Sequence, residues 1–150
     1  MNPLKYFLQL IGVDSGTGRP TLEVVSDSGR QSAYGTTSGT ITSPTALATF
    51  SLPAGGVVYI LGASVANEGT SGSATFEIEA GGAPLYPLYL PAPGTYTLPP
   101  AELRNPYLVV ANSTANAITV GVYVTSSTAS NVYEASLQYE FPPSSFWPSV

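Results

Sequence analysis

Glu77 and Glu79 are the two side chains in this sequence best spaced for chemistry. On a strand they share one face, at roughly 6.5–7 Å along the chain. Glycosidases work with paired carboxylates at comparable distances. Their setting argues against that role. Phe76, Ile78 and Ala80 alternate with Thr75, Glu77 and Glu79, so both carboxylates fall on the solvent face, with no pocket implied. The rest of the catalytic repertoire is missing. The chain has no His and no Cys, which removes the commonest general base, the commonest metal ligand and any thiolate. Lys5 is the single lysine, so no Ser has a base. No loop spaces acidic ligands for Ca²⁺. Gly16-Thr17-Gly18-Arg19-Pro20 lacks the Lys and the following helix of a phosphate loop. The expectation is a protein that is not an enzyme, with no catalytic residue, metal, cofactor or small-molecule substrate.

The tyrosines are the second candidate. Tyr86, Tyr89, Tyr96 and Tyr107 crowd one stretch. They can pack the core and rim of a sandwich. Alternatively Tyr86, Tyr89 and Tyr96 can form an aromatic platform that stacks on sugar rings, which would make the chain an extracellular or host-attachment glycan-binding module. The one Trp, Trp147, lies far from them in sequence.

Charge excludes further classes. Only 9% of the residues are charged, against about 25% in ordinary soluble domains. The net charge is −5, and beyond residue 30 Arg104 is the only cation. Nucleic-acid binding needs clustered Lys and Arg, so that class is rejected. No segment reaches the ~18–20 apolar residues of a membrane span, and residues 6–13 do not read as a signal peptide. A surface this weakly charged favours association. Lysines, the usual guards of exposed strand edges, are missing from the body, so edges should be covered or meant to pair.

These side chains must be carried by strands. Alternation and turn signals place strands at residues 46–52, 57–67, 74–80, 85–90, 95–98, 107–112, 118–125 and 132–141. Gly-, Pro- and Asn-rich turns separate them at short intervals, as in an all-β, antiparallel, jelly-roll-like sandwich of about eight strands. The best-patterned stretch, 50–79, reads as an antiparallel pair joined by a soft polar loop. Val65-Ala66-Asn67 and Val110-Ala111-Asn112, each followed by a polar loop and a strand, form an internal echo that reads as two similar hairpins.

The ends differ. Residues 1–45 are expected as an N-terminal arm: a short helix over 2–12, then a Gly/Ser/Thr-rich extended segment with one short strand at 21–26. Leu4, Phe7, Leu8 and Ile11 form the apolar stripe of that helix, although Leu4, Tyr6, Leu8 and Leu10 also alternate as a strand would. A helix this short is marginal alone and must dock, on its own domain or on a neighbouring subunit. Residues 46–141 are the sandwich. Residues 142–150 form a tail whose Phe146 and Trp147 either cap the sandwich or anchor in a neighbour's groove.

The cadence Leu52-Pro-Ala-Gly-Gly, then Val65-Ala-Asn with its Gly/Ser/Thr loop and alternating strand, then Leu98-Pro-Pro through Val110-Ala111, resembles small β-sandwich virion proteins of bacteriophages and related viruses. These are capsid decoration, head-fibre and accessory capsid or tail subunits. The resemblance covers residues 46–125. It implies a structural protein located in the virion, acting as a capsid subunit or decoration protein by self-association and arm exchange. Its implied partners are other capsid proteins and copies of itself, with a trimer favoured. The family has no catalytic motif to carry over.

Overall fold

The computed structural model describes residues 29–142. The expected helix with Leu4, Phe7, Leu8 and Ile11, the strand at 21–26 and the tail with Phe146 and Trp147 lie outside them.

Nine strands follow in order: β1 (Gln31–Ser38), β2 (Ile41–Leu52), β3 (Val57–Glu68), β4 (Ala74–Ala80), β5 (Ala83–Leu90), β6 (Gly94–Thr97), β7 (Leu108–Ala111), β8 (Ile118–Ser126) and β9 (Val132–Glu140). All pairings between them are antiparallel. One sheet runs β1-β9-β3-β6, with β7 also on β3, and the other runs β2-β8-β4-β5. β6 and β7 pair successive halves of the long β3, at Ser64–Asn67 and Val57–Ile60, so together they act as one edge strand. With that pair counted once, eight strands form two four-stranded sheets, and every consecutive pair except β4–β5 crosses between them, in the jelly-roll manner. The expected all-β sandwich is what the chain forms.

Two expectations need correction. The stretch 50–79 is not a hairpin: β3 and β4 belong to different sheets, and residues 69–73 cross between them. The echo is likewise two crossovers, because β7 and β8 also lie in different sheets. Alternation reports that one face of a strand is buried, which holds for either pairing partner. Among the described residues the only same-sheet hairpin of consecutive long strands is β4–β5, closed by Gly81 and Gly82, both at positive φ.

The sandwich also begins earlier than residue 46. Residues 31–38 pair along their whole length with β9, and β2 starts at Ile41. The inward positions of β1 are Ala33, Gly35 and Thr37, opposite Leu137, Ala135 and Tyr133. They are small because β2 crosses close by. A side chain at Gly35 would meet the Leu47 backbone. Leu47 and Ala48 sit in a break of the β2–β8 register, and a side chain at Gly121 would meet the Ala48 carbonyl. Two glycines thus flank the bulged backbone of β2, and the β1 and β2 edges close against each other.

The core fills the space between the sheets. Val58, Ile60, Val65, Tyr133 and Leu137 come from one, Leu52, Phe76, Ile78, Val120 and Val122 from the other. Each such side chain contributes about 1.5–3 kcal/mol on burial. Phe76 meets Tyr133 edge-on across the layers, with centroids 6.4 Å apart. Phe50 of β2 stacks on Tyr139 of β9 at 3.7 Å.

Candidate functional site

The carboxylate pair on β4 occupies the outer face of its sheet, as the alternation requires. Its environment is not what the sequence implies. Glu79 is only 6% exposed. It lies in a depression of about 130 Å³ walled by Pro44 of β2 and Tyr123 of β8, with Glu77 and Thr75 beside it. Burial first, then the charge and hydrogen bond of Glu77, raise its pKa above the ordinary carboxylate value. Burial, followed by the charge of Glu79, raises the Tyr123 pKa as well. A side chain on an outer face is solvated only if its neighbours leave it so, and here Tyr123 and the β2 strand do not.

The other sheet carries a matching group. Tyr34 Oη of β1 donates to Glu134 Oε1 of β9 at 3.1 Å. Glu68 of β3 lies diagonally across from Glu134, since Ala66 is the residue directly opposite. The charge of Glu134, then its hydrogen bond, then burial raise the Glu68 pKa. The hydrogen bond to Glu134 is the main cause that raises Tyr34. These residues line a second shallow depression of about 200 Å³.

Neither group is built for catalysis. Ligand pockets usually measure about 300–1,000 Å³, and both depressions are smaller. A larger one, about 570 Å³, lies among Pro100, Ala101, Glu102, Asn105, Pro106 and Tyr107. Its single carboxylate pairs with Arg104 at 3.6 Å in the open. A hollow of about 380 Å³ at one end of the β2–β8–β4 sheet is lined by Ile41, Thr42, Ser73, Thr75, Thr125, Ser126 and Ser127. Among the described residues no three His, Cys, Asp or Glu side chains gather to hold a metal.

The tyrosines divide. Tyr86 is half-buried and meets Tyr107 edge-on at 6.3 Å. Tyr107 Oη donates to the Pro99 carbonyl at 2.6 Å. Tyr89 is 58% exposed on β5, and Tyr96 is 45% exposed on β6 of the opposite sheet. Tyr86, Tyr89 and Tyr96 therefore do not share one strand face. Leu85 and Tyr89 on β5, Tyr96 on β6 and Val109 on β7 are exposed on the edge strands of the two sheets, Tyr89 and Val109 on opposite outer faces. Those strands hold no charged residue. Pro84 and Pro87 remove two N–H donors from β5, which blocks strand addition there. The exposed side chains of these edge strands are open to packing, while the β5 backbone is partly guarded.

Sequence reasoning missed these edges, because strand order is what leaves β5 at the border of one sheet and β6 and β7 at the border of the other. The two prolines in β5 were the readable signal. Among the described residues no helix is long and apolar enough to cross a membrane.

The geometry defines an antiparallel jelly-roll sandwich with uncharged edge strands and a carboxylate pair on each outer face. No protein-family model and no curated protein matches the chain. Among solved structures, the chain is similar to one described as "Cyanophage Pam1 capsid asymmetric unit", at 15% identity and a TM-score of 0.42, over 87% of this chain and 99% of that one. A likeness at that level supports no role, and the functional reading rests on the chain's own residues.

Proposed function

We propose that this chain is a non-enzymatic structural protein of a virus particle, a capsid subunit or a decoration protein that stabilises the shell. It works by packing against copies of itself and neighbouring shell proteins. The observation that carries the association is that the uncharged edge strands β5, β6 and β7 leave Leu85, Tyr89, Tyr96 and Val109 exposed. Large apolar and aromatic side chains exposed on sheet edges are what partner surfaces can use. Jelly rolls serve both capsids and lectins, so the fold alone assigns no role. The virion location rests on the sequence cadence of residues 46–125. The trimer, and the anchoring roles of Leu4, Phe7, Leu8, Ile11, Phe146 and Trp147, belong to the same proposal.

Light scattering of the full chain tests it, with a discrete oligomer expected. Tyr89→Ser combined with Val109→Ser should shift that oligomer toward monomer without loss of fold, and removal of residues 142–150 should weaken it. A strictly monomeric chain that also ignores virus shells would sink the assembly reading.

A second reading has one observation of its own. Tyr89 is 58% exposed, so its ring is free to stack on a sugar. A screen of immobilised glycans decides it: clear binding that disappears in Tyr89→Ala promotes the glycan module, and a blank screen retires it.

A further inference from the structure

Six carboxylates fall among the described residues: Glu68, Glu77, Glu79, Glu102, Glu134 and Glu140. Four of them form the two pairs described above, one on the outer face of each sheet. Like charges set side by side are costly unless a cation or a proton intervenes. The described cations are Arg30 and Arg104, and both are engaged elsewhere. Arg30 donates to the Ala101 carbonyl, and Arg104 pairs with Glu102.

The neighbours of each pair are plain. Around Glu77 and Glu79, β8 contributes Tyr123 and Gly121, β5 contributes Pro84, Pro87 and the adjacent Tyr89, and β2 contributes Pro44. Around Glu68 and Glu134, β1 contributes Tyr34, and β6 contributes Thr95 and Thr97. The titratable neighbours are thus tyrosines, protonated at neutral pH. Tyr34 already donates its proton to Glu134. Among the described residues no cation stands beside either pair, so a proton on a carboxyl is the relief the fold itself offers.

We propose that the two pairs are proton clasps: each shares a proton between its carboxyls, so the sandwich is most stable in acid and loses stability as the pH rises. The sign follows from linkage. Glu79 and Glu68 bind their protons more tightly folded than unfolded, above the usual 4.5. Their contribution is complete below the unfolded carboxyl range and is lost as pH rises through the folded values. Ordinary acid denaturation, driven by carboxylates paired with cations, runs the other way. The exposed Arg104–Glu102 pair is the one described contact of that kind, and surface pairs contribute little.

The test is thermal unfolding of the full chain between about pH 4 and about pH 8 at constant ionic strength. The Tm should be highest at the acid end and fall by several degrees toward neutrality. Glu79→Gln with Glu134→Gln should flatten that slope and raise the neutral Tm. Glu102→Gln with Glu140→Gln removes the same formal charge and should leave the slope in place, which separates the clasps from general charge repulsion. A Tm that falls on acidification, or a slope unchanged in the clasp variant, overturns the proposal. Should the clasp variant not fold, carboxyl NMR titration of the unaltered chain decides. Glu79 and Glu68 must then titrate above 4.5, and ordinary midpoints overturn the clasps.

Discussion

Gly35→Ala should cost the sandwich about 3 kcal/mol, at the upper end of what an inserted methyl does to a packed interior. Gly35 faces inward from β1, directly opposite Ala135 of β9. The place its Cβ would occupy is already filled by the Leu47 backbone of β2. A flexible side chain could move aside, but a bulged main chain cannot move without dragging its neighbours. Leu47 and Ala48 are both buried, and Gly121 leaves room for the Ala48 carbonyl on the other side. The added methyl therefore has to push β1 and β2 apart at the point where the two sheet edges meet. Urea unfolding measures the loss. Thr36→Ala, one residue along on the exposed outer face, is the control and should stay within about 0.5 kcal/mol. Equal midpoints for the two variants would mean that β1 does not close against β2.

Asn112→Ala should cost a similar amount, about 3 kcal/mol, because it leaves several buried groups without partners at once. Asn112 is 2% exposed at the end of β7. Its Nδ2 protons are shared among the carbonyls of Leu52 and Pro53, both at 3.1 Å, and Asn116 at 2.8 Å. Its Oδ1 accepts from the Thr114 backbone N–H at 3.0 Å and from Thr114 Oγ1 at 2.7 Å. One side chain thus fastens the β7–β8 crossover to the end of β2. Asn112→Asp keeps the acceptor but sets a carboxylate against three carbonyls, and should be no better than alanine. A loss below about 1 kcal/mol in Asn112→Ala would show that water replaces the amide. The triplet Asn112-Ser113-Thr114 fits a glycosylation acceptor, but an amide this occupied is closed to modification in the folded chain.

Asn67 repeats the device at the other crossover. It is also 2% exposed, and its Nδ2 donates to the Gly72 carbonyl at 3.1 Å. Asn131 joins it, donating to Asn67 Oδ1 at 2.7 Å and to the Ser71 carbonyl at 2.8 Å. The echo between Val65-Ala66-Asn67 and Val110-Ala111-Asn112 is therefore a repeated loop clamp. A buried amide at the end of a strand supplies the polar partners that a tight crossing lacks. The echo was visible in the sequence, but its meaning needed the loops in place.

The candidate site was legible in part. The place of Glu77 and Glu79 on one outer face followed from alternation, as did the exposure of Glu77's neighbourhood to solvent. The burial of Glu79 did not, because it depends on Tyr123 and Pro44 from other strands. Glu68 and Glu134 are 66 positions apart and meet only through the β3–β9 register. Tyr89 and Tyr96 sit seven residues apart yet lie in different sheets.

Local patterning specifies the all-β class, the position of β4 to the residue, and the near bounds of β3, β5, β8 and β9. Each of these strands buries one face, and burial of one face writes a period of two into the chain. Composition specifies which chemistries have no residues to perform them, since a chain without His or Cys lacks them in any fold. That β1 is a strand follows from packing across the layers, because its inward residues must be small where β2 crosses. The tertiary structure alone decided which sheet each strand joins, since partners are chosen by loop reach and by packing between layers. The carboxyl pair that opened as a candidate catalytic site shows both limits: its shared face was local information, and its depth came from strands the local pattern cannot see.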